Sequence, residues 1–305
     1  MNVLVLSELT AAQLSDLVAL LARCEEADGH PALAEPQRAA AARKDLGADG
    51  SQALLVYEDR SLVGCAIITP ATDGATALHV AVDPSQRNSK RTGEPIKPEL
   101  LRTALQNAHG TVRLWLMQAT AQDEAEAARL GFQPERDLLQ MRVALPLPAE
   151  MVAGARPVTT RPFRPGHDDE AWLSINNEAF ADHPEQGGWT LDDLYERIRA
   201  PWFDAEGFLM ADSPDGSGLI GSCWTKVHHE SEPVLGEIYV ISVDPARHSQ
   251  GWGKALTVAG LRWMSDRGVT VGMLYTTSSN TAAVTLYESL GFTTDHVDRS
   301  YVLIN

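Results

Sequence analysis

The stretch "HSQGWGKA", residues 248–255, sets two glycines two apart, then a lysine, between a strand-like run "EIYVISVDP" and a helix-like run "LTVAGLRWMSD". Glycine removes the side chain where backbone must approach another group closely. The first turn of a helix presents free N–H groups and a partial positive charge, so such a turn can hold a phosphate. It can also be only a turn. It is not a Walker loop, and it lacks the third glycine and the spaced acidic residue of a dinucleotide fingerprint. Farther on, "LYTTSSNTAAVTLYESLGF" puts Asn280 just after a strand and ahead of a helix. There an Asn caps the helix or hydrogen-bonds a ligand amide. Tyr287 lies on that helix, shortly before Phe292.

The elements that must position these residues occur twice. "AVDP" ends at Pro84 and "SVDP" at Pro245; "RLGF" ends at Phe132 and "SLGF" at Phe292. The two offsets are 161 and 160 residues, with a helix-like and then a strand-like stretch between each pair. Two matches at nearly one offset point to a duplicated domain. The proline-bearing segment "LPLPAEMVAGARP" reads as the linker. The expected division is a first domain over 1–144, a linker over 145–156 and a second domain over 157–305. Each half reads as an early helix, two or three strands, the VDP turn, a helix, a strand, a short helix ending at the LGF tripeptide, and a last strand. The expected class is α/β, with an α+β mixed sheet, adjacent hairpin strands and a strand–turn–helix crossover.

The chain has 305 residues, enough for two ordinary cores, and 44% hydrophobic content marks it as globular. Lys+Arg 25 against Asp+Glu 41 gives a net charge of −16. That argues against a nucleic-acid surface and against anionic membranes. It fits a cationic substrate such as an amine, and it fits solubility alone. Cys24, Cys65 and Cys223 are too few and too scattered for a disulfide framework or a zinc site. The N-terminal run has no basic n-region, and no apolar run reaches the ~18–20 residues of a spanning helix. A cytoplasmic monomer is expected. His183 and the pair His228-His229 invite a metal reading. No carboxylate or Cys stands at helical spacing to complete such a site, and no metal is expected. Six tryptophans, Trp172, Trp189, Trp202, Trp224, Trp252 and Trp263, crowd the second half and read mostly as core.

The strand–VDP–glycine turn–helix unit, with Asn280 and "LYESLGF" after it, resembles the GNAT superfamily of acyl-CoA N-acyltransferases. "HPEQGGWT", "CWTKVH", "GEIYVISVDP", "SLGFTTDHVDRSY" and "ADGHPALAEPQ" carry a closer resemblance, over both halves, to the mycothiol synthase family of tandem acetyltransferases. The resemblance implies two tandem GNAT domains, acetyl-CoA as co-substrate and a small-molecule acceptor, a cysteinyl-glucosaminyl-inositol acetylated on its cysteinyl α-amine. It implies that Glu35, Glu185, Lys226, Glu237 and Tyr275 face the acceptor. It implies cofactor contacts from Ile241, Ser242, Val243, from His248, Ser249, Gln250, Gly251, Trp252, Gly253, Lys254, and from Asn280, Thr281, Ala282, Ala283, Val284, Thr285. Glu237 then becomes the general base and Tyr287 the general acid that protonates the departing thiolate. Backbone N–H groups at 241–243 polarise the thioester carbonyl. A GNAT acting on another amine, and a non-catalytic CoA-binding protein, remain as other readings.

One position departs from the family pattern. The turn usually opens on Arg or Gln, and here it opens on His248, so weaker diphosphate binding is expected. Counting by offset, the first half has Thr76, Thr120 and Ala127 in place of Glu237, Asn280 and Tyr287. It has Lys90 and Thr92 in place of Gly251 and Gly253. The first domain is therefore expected to be degenerate and non-catalytic.

Overall fold

The structure, a computed structural model, describes residues 2–304 apart from Arg43, Asp45, Thr72, Asp73, 88–94, 182–186, Ser217 and Glu230, and apart from the side chains of Glu35, Pro36 and Ala39. The chain forms two compact units, residues 1–137 with 297–305, and residues 138–296.

The first unit runs β1 (Val3–Leu6), α1 (Ala11–Asp28), α2 (Glu35–Ala41), β2 (Gln52–Glu58), β3 (Ser61–Pro70), β4 (Thr76–Val82), α3 (Ile96–Asn107), β5 (Thr111–Leu116), α4 (Ala121–Arg129) and the start of β6 (Gln133–Ala144). Helix α1 begins where Thr10 and Gln13 close a capping box and ends at Gly29, in the left-handed region at φ +72°. The near-continuous apolar run of β3 suits a central strand buried on both faces. Strands β1 to β4 pair antiparallel in order, and β4 pairs parallel with β5. The partner on the other side of β5 is residues 299–304 of β12 (Thr293–Ile304), the last strand of the chain. One core, with Leu78, Leu100, Leu114 and Phe132, lies under α3 and α4; the other, with Leu17, Leu20, Leu55 and Ile67, lies under α1 and α2.

The second unit has the same plan. It takes residues 138–144 of β6, then α5 (Ala149–Val152), β7 (Arg161–Pro162), α6 (Asp169–Ala179), α7 (Leu191–Ile198), β8 (Phe208–Asp212), β9 (Leu219–His228), β10 (Leu235–Val243), α8 (Trp252–Ser265), β11 (Val271–Thr277) and α9 (Thr281–Glu288). Strands β7 to β10 pair antiparallel in order, β10 pairs parallel with β11, and β11 pairs antiparallel with residues 138–144. An apolar core with Leu256, Leu261, Met264 and Phe292 lies on the α8 and α9 face. The opposite face carries an aromatic core in which Phe208 stacks on Trp224 at 4.2 Å between ring centroids, with Trp172 edge-on. Trp172, Trp189, Trp224 and Trp252 are buried, and Trp202 and Trp263 pack against the two cores.

The division differs from the one read off the sequence. Residues 138–144 and 297–305 change sides, because each terminal strand completes its ladder away from the half that precedes it. The 145–156 stretch is no bare tether. Leu145 is buried in the second unit's core and its N–H donates to Thr270 O at 2.8 Å. Cys24, Cys65 and Cys223 are buried free thiols. Among the described residues no helix is long and apolar enough to cross a membrane.

Candidate active site

Strands β10 and β11 run together for only four rungs, Leu235 to Ile238 against Val271 to Leu274. Beyond Ile238, β10 keeps its antiparallel partner β9 while β11 pairs only with β6 among the described residues. The sheet is therefore open between two central strands. A β-bulge sits where they part: the β9–β10 register shifts between Ile238 and Val240. Tyr239 and Val240 both pack into the aromatic core, as the extra residue of a bulge requires. Among the described residues, the edge of 240–243 that faces the opening has no strand partner on that side, and it suits an amide-bearing arm.

Glu237 stands one rung before the parting. Alternation turns it to the α6/α7 face, since Ile238 belongs to the other core. It is only 8% exposed, and Nε2 of His228 lies 2.7 Å from its Oε2. That contact is made by an imidazole N–H donating to the carboxylate. Lys226 is the residue directly across from Glu237 in the ladder. Its ammonium is buried, 4.5 Å from the Trp202 ring centroid and 5.3 Å from that of Tyr239. Aromatic faces stabilise a cation that has left water. A carboxylate and an imidazole thus meet at the root of the opening, and a buried lysine stands directly across the ladder from the carboxylate. Tyr275, on β11, is half-exposed, and its hydroxyl accepts a hydrogen bond of 2.7 Å from Gln140 Nε2. Gln140 in turn accepts from Arg142 Nε at 2.7 Å.

After Val243 the chain turns at Asp244, whose carboxylate accepts from Ala246 N–H, and passes one 3-10 turn before α8. Ser249 and Gly251 have φ of +58° and +83°, and Gly251 is the residue from which α8 springs. The first helical bond is Ala255 N–H to Gly251 O, so the amides of 252–254 have no partner inside the helix. A Cβ on Gly253 would stand 3.3 Å from Leu286 of α9, so the two helices meet here. The ring of His248 turns back, its Nε2–H donating to Val243 O at 3.1 Å. His248 therefore braces the strand end, and the anion-binding capacity of the turn rests on its amides. Arg156 reaches the turn from outside: its guanidinium lies 3.5 Å from the Trp252 ring centroid and donates from Nη1 to Gln250 O at 2.9 Å.

Asn280 caps α9 by accepting from Ala283 N–H at 3.1 Å. Ala283 packs on the core, and Thr285 donates back to Thr281 O. Tyr287 is 7% exposed, its ring 5.7 Å from that of Phe292. Burial pushes its phenol well above the usual tyrosine range, so it stays protonated at any working pH. Among the other expected cofactor residues, Ile241 and Val243 line the open edge. The Ser242 side chain points inward to Ser222 at 3.0 Å, leaving only its backbone for a ligand. Glu185 and His183 lie outside the described residues. Glu35 opens α2 of the first unit, and its side chain also lies outside the description.

Sequence reasoning missed three residues. From sequence His228 reads as a metal candidate, yet it closes the same β9–β10 ladder as Glu237. Arg156 falls in the 145–156 stretch that reads as linker. Gln140 belongs to a strand assigned to the first domain. Only the His228–Glu237 proximity had a local signal, a hairpin in which both residues lie near the turn.

The profile of the acetyltransferase (GNAT) family matches residues 170–292, which hold the open strand pair, the turn and Tyr287. Among solved structures, the chain is similar to a GCN5-related N-acetyltransferase from Sphaerobacter thermophilus, at 22% identity and TM-score 0.69, covering 99% of this chain and 95% of that one. It is also similar to a tandem GNAT protein from the clavulanic acid biosynthesis pathway, at 15% identity and TM-score 0.67, covering 99% and 98%. These two likenesses concern the fold. With the profile they define the class by its fold, a protein of tandem GNAT architecture. Nearer in sequence is a mycothiol acetyltransferase of Thermomonospora curvata, 44% identical over 96% of this chain and 94% of its own length. Those of Pseudarthrobacter chlorophenolicus and Thermobispora bispora are 39% and 42% identical, covering 94% and 93% of this chain and 91% and 94% of their own lengths. The chain belongs to the mycothiol acetyltransferase family.

Proposed function

We propose that the enzyme transfers the acetyl group of acetyl-CoA to the cysteinyl α-amine of 1D-myo-inositol 2-(L-cysteinylamino)-2-deoxy-glucopyranoside, desacetylmycothiol, and that the second unit performs the chemistry. The observation that carries the reading is the buried Glu237 held by His228 at the root of the β10–β11 opening. In this reading the acyl-CoA arm lies along residues 239–243 and the CoA diphosphate meets the amides of 249–254.

An α-ammonium ionises near pH 7.7–8.0, so removing its proton at neutral pH needs only a modest base. Glu237 takes that proton, directly or through a water. His228 fixes the carboxylate by donating to Oε2, leaving Oε1 for the acceptor. The free amine then attacks the thioester carbonyl carbon, whose oxygen is polarised by backbone N–H at the opening. The C–S bond breaks, and Tyr287 gives its phenolic proton to the leaving thiolate. The second proton of the attacking nitrogen, lost as the amide forms, passes through water to restore the phenol, while the proton on Glu237 leaves to solvent. In this reading Lys226 and the Tyr275–Gln140 pair hydrogen-bond the hydroxyls of the pseudodisaccharide. The acceptor amine is cationic, in keeping with the −16 net charge of the chain.

The test is a thiol-release assay with acetyl-CoA and desacetylmycothiol, with mass spectrometry of the product. The expected result is stoichiometric CoA release and one acetyl group on nitrogen. Turnover with simple amines but none with desacetylmycothiol would instead favour a different acceptor for the same site.

A further inference from the structure

We propose that Arg156 is a phosphate-binding residue of the acetyl-CoA site, supplying from another part of the chain the positive charge that His248 does not bring to the glycine turn. The proposal rests on the reading that the turn before α8 receives the phosphates of CoA.

Arg156 follows α5, in the segment that leads to β7, and lies 94 residues before Gln250. It meets three consecutive residues of the turn. Nη1 donates to Gln250 O at 2.9 Å. Its Cδ is 3.8 Å from where a Cβ on Gly251 would stand. Its guanidinium carbon is 3.5 Å from the Trp252 ring centroid. Trp252 is buried and is the first residue of α8, so the guanidinium lies over a ring carried by the first turn of a 14-residue helix. Stacking occupies a face of the guanidinium and leaves the N–H groups along its edge available. Among the described residues, only Gln250 O takes one of the five N–H donors of Arg156. The side chain is exposed, so the remaining donors are open to a ligand.

The other cations of the turn are differently placed. Arg247 is engaged by Asp244 Oδ2 at 3.3 Å and Ser213 Oγ at 3.1 Å. His248 is engaged by Val243 O. Lys254 lies in the first turn of α8 and adds a point charge rather than a planar fork. Arg156 alone among these combines a fixed plane, open donors and contact with the glycine from which the helix starts. A phosphate at the amides of 252–254 would find the helix dipole, three N–H groups and a guanidinium fork together.

A purely structural clamp on the turn would give the same contacts with protein, so the test separates charge from bracing. Binding of CoA, 3′-dephospho-CoA and pantetheine is measured by calorimetry for the full chain and for Arg156→Ala, Arg156→Gln and Arg156→Lys, at low and high salt. Arg156→Gln keeps an N–H donor for Gln250 O and removes the charge. The expected result is that both Ala and Gln variants lose about 10-fold in CoA affinity, the scale of one charge-assisted hydrogen bond, while Lys stays within about 3-fold. Pantetheine, which has no phosphate, should bind all four proteins alike. Salt should weaken CoA binding to the unsubstituted chain more than to Arg156→Gln. A loss that persists with 3′-dephospho-CoA places the contact at the diphosphate, and one that vanishes places it at the 3′-phosphate. If Arg156→Gln binds CoA as tightly as the unsubstituted chain, or if every variant does, the proposal is overturned. If the unsubstituted chain itself does not bind CoA, the acetyl-CoA reading fails, and that outcome is distinct from failure of Arg156.

Discussion

The two units share a sheet plan and differ at the rungs where chemistry is done. In the first, Gly64 faces Val82, Cys65 faces Ala81, Ile67 faces His79 and Thr69 faces Ala77. In the second, Gly221 faces Val243, Ser222 faces Ser242, Trp224 faces Val240 and Lys226 faces Glu237. The ladder makes Ala77 the counterpart of Glu237, and the Thr76 found by counting is displaced by one. The bulge at Tyr239 adds that residue: the offset is 160 from Ala77 to Glu237 and 161 from His79 to Val240. The first unit's parallel pairing also stops after four rungs, at His79 and Trp115, with no register shift in β3–β4. A sheet of this kind therefore opens without a bulge. What the first unit lacks is the carboxylate, the tyrosine, where Ala127 is buried instead, and the ammonium, where Thr69 accepts from Gln37 at 3.0 Å.

The strand-end carbonyl gives a second contrast. Arg87 stands where His248 stands, and its Nε donates to Val82 O at 3.1 Å as His248 donates to Val243 O. The rest of the Arg87 fork is closed on Asp28 through two bonds of 2.6 Å. An arginine at this position is thus a brace in one unit, with its charge already paired, and a histidine performs the same bracing in the other. The expected penalty for His248 assumed that the position points at phosphate, and here the ring points at Val243.

Substitutions can break this contrast. Glu237→Gln should lower kcat/KM by about 10³-fold, within the range of general-base catalysis, with CoA affinity unchanged by calorimetry. An undiminished rate across pH 6–9 would remove the base from the second unit and with it the main difference between the two. Tyr287→Phe should lower kcat by about 10²-fold, the effect of a lost general acid, and leave both Kd values in place. Unchanged turnover would reduce Tyr287 to a packing residue like Ala127.

In the first unit, His79 is fully buried with both ring nitrogens unpartnered among the described residues, and burial lowers it to about 3. The unfolded chain takes up that proton near pH 6.5 and the folded chain does not, so stability is lost as pH falls from 6.5 toward 3. His79→Val, which copies Val240, should remove that loss, worth about 2 kcal/mol at pH 5 at roughly 1.4 kcal/mol per pH unit. Chemical denaturation at pH 5 and pH 8 reads it directly, and an equal effect at both pH values would contradict it. His228→Ala should cost kcat/KM about 10-fold, the scale of a hydrogen bond to a charged group. The smallest effect is expected of His248→Ala, about 3-fold in the KM for acetyl-CoA, from losing one hydrogen bond that braces the strand end. A loss as large as that of Arg156→Ala would mean that His248 meets the phosphate after all.

The sequence by itself determined the duplication, the mixed sheets, the strand–turn–helix around Gly251 and which half holds Glu237, Asn280 and Tyr287. These follow from local chemistry: side-chain periodicity, caps and glycine positions act within a few residues. The tertiary structure alone decided the rest. Rung partners depend on a bulge that no periodicity reports, so counting missed Ala77 by one. The terminal strands change units because ladder completion is a long-range contact. His248 braces and Arg156 reaches the turn because a hydrogen bond or a stacked guanidinium needs proximity in space, and the chain brings Arg156 to Gln250 across 94 residues.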